Sequence, residues 1–99
     1  MNHRIASIIS VKVAAPGTLA LQFDDGLERI VNLSGMLQGD LYGPLRDPVL
    51  FSQVRLDPDF DTVVWPNGAD FDPAILHDWP DHEAAFMSAA KEWASAVTA

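Results

Sequence analysis

Apolar and polar residues alternate through the first third of the chain. Ile9, Val11 and Val13 alternate with Ser10 and Lys12, the period-two pattern of a strand with one buried face. Pro16-Gly17 interrupts it, after which Leu19, Leu21 and Phe23 alternate with Ala20, Gln22 and Asp24. Asp25-Gly26 comes next, a strong hairpin signal, read as the two central turn positions that both need positive φ. Beyond it Leu27, Arg29, Val31 and Leu33 share one face, with Glu28, Ile30 and Asn32 on the other. The pattern predicts a three-stranded antiparallel meander whose apolar face meets a single core.

From Ser34 to Val54 the periodicity changes. Gly35, Gly39, Gly43 and Pro44 leave room for no more than a turn or two of helix before Arg46. Asp47-Pro48 reads as an N-cap followed by proline at the first helical position, opening a short helix through Phe51. Val54 and Leu56 suggest a fourth strand, Asp57-Pro58-Asp59 a turn, and Thr62 to Trp65 a fifth strand ended by Asn67-Gly68. Asp72-Pro73 repeats the cap-and-proline device before Ala74, Ile75 and Leu76.

Asp78 with Asp81 resembles a capping box, and Phe86, Ala90, Trp93 and Val97 then recur on one helical stripe opposite Ser88, Glu92 and Ser95. Such a stripe predicts a C-terminal helix docked on the domain or on a second copy. The fold class expected is α+β. It comprises the meander, a second hairpin, one short middle helix and the C-terminal helix. Residues 1–77 form the domain and 78–99 a helical extension packed on it.

Composition narrows the class. The chain has 99 residues, 48% of them apolar, which suits one folded core. It has no cysteine, so disulfides, thiolate metal sites and thiol catalysis drop out. The opening MNHRIASIIS lacks a long apolar run, and no window approaches the roughly 18 apolar residues of a membrane span. A cytoplasmic protein with no membrane contact is the expectation.

The net charge of −8 and pI of about 4.4 argue against direct nucleic-acid binding, which needs clustered Lys and Arg. The acidity is uneven. Met1 to Val54 carries four basic and five acidic residues, whereas Arg55 to Ala99 carries two and nine. That second half suits a basic protein partner, or simply solvation.

The run Trp65-Pro66-Asn67-Gly68-Ala69-Asp70 has two readings. Structurally, Trp65 covers the core, Pro66 stops ladder pairing, Asn-Gly supplies positive φ and Asp70 bonds a nearby N–H, so every residue has a turn role. Functionally, an aromatic beside a rigid turn can anchor a partner. On the second reading Trp65, Asn67 and Asp70, together with Trp79, are the candidate partner-binding residues.

Asp57-x-Asp59-x-Asp61 opens like a calcium loop, but Thr62 and Gly68 stand where Gly and Glu are required. His77, Asp78, Asp81, His82 and Glu83 offer metal-ligand atoms within a short stretch. Histidines five apart do not share a helical face, however, and His82 falls on the Phe86 stripe as a half-buried residue. There is no Gly-x-Ser-x-Gly elbow, glycine-rich phosphate loop or Gly-x-Gly-x-x-Gly run. Neither catalysis nor a cofactor is expected.

Several of these segments occur in a recognisable order. They are Leu21-Gln22-Phe23-Asp24-Asp25-Gly26, Val31-Asn32-Leu33, Pro44-Leu45, Asp47-Pro48, Phe51 with Val54, and Val64-Trp65-Pro66-Asn67-Gly68-Ala69-Asp70. Over roughly residues 9 to 77 the chain resembles the small bacterial domain-of-unknown-function family 2442. The resemblance implies a compact α+β fold and no established activity. It also implies two settings: a module ahead of a helix-turn-helix domain, or a companion of another small protein in the style of toxin–antitoxin pairs. The single helix after Asp78 is too short for a helix-turn-helix unit.

The reading that follows is a non-enzymatic protein-interaction module, an antitoxin-like or accessory partner of another small bacterial protein. Two alternatives stay open: a metal- or small-ligand-binding domain using His77 to Glu83, and a regulatory domain acting on transcription through another chain. Oligomeric state, a homodimer included, is also open.

Overall fold

The computed structural model describes residues 7–98, and side chains through Glu92. Strands β1 (Ile8–Ala15), β2 (Thr18–Phe23) and β3 (Glu28–Asn32) form an antiparallel sheet in that order. Tight helical turns at Ser34–Met36 and Gly43–Arg46 flank α1 (Gly39–Tyr42), and α2 (Pro48–Phe51) follows. Strands β4 (Arg55–Asp57) and β5 (Thr62–Val64) make a separate hairpin, then α3 (Pro73–His77) and α4 (Trp79–Thr98) close the chain. The class is α+β, as the sequence pattern predicts.

Register explains the core. Leu19 faces Val31 and Leu21 faces Val11 across β2, so Leu19, Leu21, Phe23, Val31 and Leu33 are buried together. The first strand departs from the expected alternation. A bulge between Ile8 and Ser10 inserts one residue, so Ile8 enters the core and Ile9 is 59% exposed. Val11 still packs on the core, but Val13 is exposed.

The β2–β3 and post-β5 turns share one geometry, and it corrects the tight-turn expectation. The Phe23 carbonyl accepts from Gly26 N–H (3.0 Å) and the Leu27 carbonyl from Phe23 N–H (2.9 Å). Likewise the Trp65 carbonyl accepts from Gly68 N–H (3.0 Å) and the Ala69 carbonyl from Trp65 N–H (2.9 Å). The loops are thus three residues long, and only their glycines, each at φ 91°, are left-handed. Asp25 and Asn67 keep negative φ. Each instead uses its side-chain Oδ1 to accept the N–H two residues on, from Leu27 (2.9 Å) and Ala69 (3.1 Å).

Both proline-led helices start as expected, with Asp47 accepting from Val49 N–H (2.9 Å) and Asp72 from Ala74 N–H (2.8 Å). The capping box at Asp78 does not form in that way. Asp81 N–H donates to the Asp78 carbonyl (2.8 Å), while the Asp78 carboxylate turns to His77. Helix α4 lays Phe86, Met87 and Ala90 on the core, against α1 and the Ser34–Met36 turn. The side chains of Trp93 and Val97, on the predicted stripe, lie outside the described residues. Aromatic rings run through the core from Phe51 to Trp65, Phe71, Phe86 and Trp79, with successive centroids 5.5, 6.1, 6.2 and 5.6 Å apart.

Candidate interaction surface

The residues expected to bind a partner do not form one surface. Trp65 is 1% exposed, sits between Phe51 and Phe71, and donates its Nε1–H to the Phe51 carbonyl at 2.9 Å. Trp79 is 3% exposed and packs against Phe86. Both indoles belong to the core, which corrects their reading as anchors. The chain doubles back after Trp65 so that Val64 bridges Asp70, and this closes the ring inside. Trp79 pays for burial with a side-chain N–H that meets no acceptor.

Asn67 and Asp70 are exposed but structurally engaged. The Asn67 amide donates through Nδ2 to the Leu41 carbonyl at 3.0 Å, while its Oδ1 closes the turn. Tyr42 donates its hydroxyl to the Asp70 carbonyl (3.0 Å) and stacks on Phe71 (5.1 Å). Burial first, and the Asp70 charge second, push the Tyr42 hydroxyl above the ordinary tyrosine range. These contacts clasp the post-β5 turn to α1.

His77, at the end of α3, has both ring nitrogens against carboxylates. Nε2 lies 2.7 Å from Asp25 Oδ2 and Nδ1 lies 2.8 Å from Asp78 Oδ1. The ring also meets Phe23 edge-on at 4.9 Å. Arg29 donates through Nε (3.1 Å) and Nη2 (2.7 Å) to the His77 carbonyl, satisfying a helix-end acceptor. Hydrogen bonding to Asp78, then to Asp25, raises the imidazole above its ordinary range; the same His77 bond lowers Asp78. His82 is half-buried and Glu83 exposed on α4. Among the described residues, no three histidine or carboxylate side chains are grouped to hold a metal ion.

The surface that sequence reasoning missed is the β4–β5 loop. Phe60 at its tip is 73% exposed. The loop is held in one shape: Asp61 N–H donates to the Asp57 carbonyl and Asp59 N–H to Asp57 Oδ1, both at 2.8 Å. Asp61 takes a left-handed φ of 53°, which aspartate tolerates better than most residues.

Ile8 N–H donates to the Asp61 carbonyl and Asp24 N–H to the Ser7 carbonyl, each at 2.9 Å. These bonds, with the His77 contacts, bring the β4–β5 loop, the start of β1, the β2–β3 turn and the α3–α4 junction together. Asp57, Asp59 and Asp61 thus flank the exposed Phe60 within the loop, Asp24 is tied through Ser7 to the start of β1 where Ile8 meets Asp61, and Asp25 and Asp78 converge on the His77 ring. The sequence marked the loop's aspartates and the acidity of the second half, but Phe60 stands inside the turn Asp57-Pro58-Asp59-Phe60-Asp61 with no strand or helix period to place it.

No helix among the described residues is long and apolar enough to cross a membrane. No curated protein and no solved structure matches the chain. The family described as "Protein of unknown function (DUF2442)" matches residues 8–82, a span that carries both hairpins, the His77 contacts and the start of α4, and the chain belongs to that family.

Proposed function

We propose that the domain is a non-enzymatic protein-interaction module that receives a basic partner at its acidic end, with Phe60 as the apolar anchor. The observation that carries this reading is a large aromatic ring, 73% exposed, carried on a hydrogen-bonded loop between aspartates. Apolar anchors supply most of the affinity at protein interfaces, while exposed charge pairs add about 0–1 kcal/mol each and mainly steer encounter. Holding the loop backbone in shape before contact spares entropy on binding. The role that fits is an accessory or antitoxin-like companion of another small bacterial protein, one rich in Lys and Arg.

The test is capture from the native host by the wild-type chain and by Phe60→Ser, followed by binding measurements on the purified partner. A basic protein held by the wild type and released by Phe60→Ser, with melting temperature unchanged, supports the proposal. An acidic partner, or equal binding by both chains, overturns it.

A further inference from the structure

We infer that His77, in its imidazolium form, is a proton-controlled staple fastening the α3–α4 junction to the β2–β3 turn. The geometry has three parts. Asp25 reaches Nε2 from the turn at 2.7 Å, and Asp78 reaches Nδ1 from the junction at 2.8 Å. Asp25 is itself held in place, because its other oxygen accepts from Leu27 N–H at 2.9 Å. Arg29, from β3, holds the residue from behind through its carbonyl.

An imidazolium donates from both nitrogens, so it can serve both carboxylates at once. A neutral imidazole carries one N–H. Its second nitrogen would present a lone pair to a carboxylate oxygen at hydrogen-bond distance, and one of the two links would be lost. Among the described residues, the charged groups facing this cluster include Asp25 from the turn, Asp78 from the junction, Arg29 from β3 and His82 from α4, the last two acting on Asp78. Two carboxylates against the ring favour its charged form, and the raised affinity for the proton agrees.

A group whose proton affinity is higher in the folded state stabilises fully below its unfolded value, about 6.5 for histidine. That contribution is lost as pH rises through the higher folded value. The post-β5 turn provides an internal control. Asn67 occupies the position of Asp25 and reaches across to Leu41 with an amide that does not titrate. One clasp therefore varies with pH while its twin does not.

The experiment is an NMR titration of the His77 ring in the whole chain, with amide hydrogen exchange followed at both turns. His77 should titrate above the ordinary histidine value, and Asp25→Asn should weaken its proton affinity by threefold or more. The Asp78 amide, which donates to the Ala74 carbonyl, should lose protection as pH passes the titration. The Ala69 amide should show only the intrinsic pH dependence. His77→Gln, if it folds, should leave the Asp78 amide with only the intrinsic pH dependence; Asp25→Asn carries the test otherwise. Titration at or below the ordinary value, or a titration unmoved by Asp25→Asn, overturns the inference.

Discussion

Gly26 and Gly68 stand at the same point of the same turn, and the comparison isolates what each contributes. A Cβ added at either would meet no atom within 4 Å, so steric overlap is not the issue. The cost of a side chain there is backbone strain alone, roughly 1–2 kcal/mol for an L-residue in the left-handed region. Gly26→Ala and Gly68→Ala should therefore lower stability by similar amounts, measured by urea unfolding at fixed pH. A large difference between them would mean the turns are not energetic equivalents. At Phe60 the expectation is opposite. Its exposure predicts that Phe60→Ser shifts stability by no more than about 0.5 kcal/mol, whatever it does to binding. At His77 both ring nitrogens are occupied, so zinc should leave the melting temperature unchanged. A saturable rise abolished by replacing His77 and His82 with Ala would restore the metal reading.

At the scale of the elements, the described part of α4 meets the core through one contact face. Ala90 is buried where the helix meets the core, and Phe86 and Met87 pack beside it. Ala90→Glu should cost about 3 kcal/mol or more by forcing an unpaired charge into that contact. Proteolysis within α4 should rise in parallel. Lys91→Ala, one residue on and exposed, should do neither.

Element identity was largely legible in the sequence because it depends on local signals. Alternation defined β2 and β3, and Asp47-Pro48 and Asp72-Pro73 marked two helix starts. The bulge at Ile9 was not legible, since either isoleucine satisfies an alternating pattern until pairing selects one. Nor was the surface. For Trp65 the turn reading, with the indole covering the core, is the one the fold matches, and the partner-anchor reading is not, because the turn folds the ring inward onto Phe51. The carboxylates of Asp25 and Asp78 are far apart in sequence and meet only because β3 and α3 carry them to one imidazole.

For the whole molecule, the acidity has direction. The sequence assigned negative charge to its second half, but the fold adds Asp24 and Asp25 from the first half to the end that presents Phe60. On the function proposed above, a negative field there would orient a basic partner before contact, and salt would screen it over about 10 Å at 0.1 M. Association of the partner should slow markedly between low and physiological salt, while dissociation changes little. Replacing Asp57 and Asp59 with Asn should reproduce the slowing at low salt. An association rate indifferent to ionic strength would assign the acidity to solvation alone.

The bulges in β1 have a bearing on how the protein behaves when concentrated. β1 is an outer strand of its sheet, and a long flat outer strand is a template on which further chains can add, as in fibril growth. Here its register is broken twice, between Ile8 and Ser10 and between Val13 and Ala15, and Lys12 lies between the breaks. A second β1 brought alongside would lose hydrogen-bond continuity at each irregularity and set two lysine charges near one another. Self-templated β-assembly should accordingly be rare even in crowded solution. Removing the charge with Lys12→Val should increase light scattering and thioflavin binding on prolonged incubation, with the folded-state melting temperature nearly unchanged.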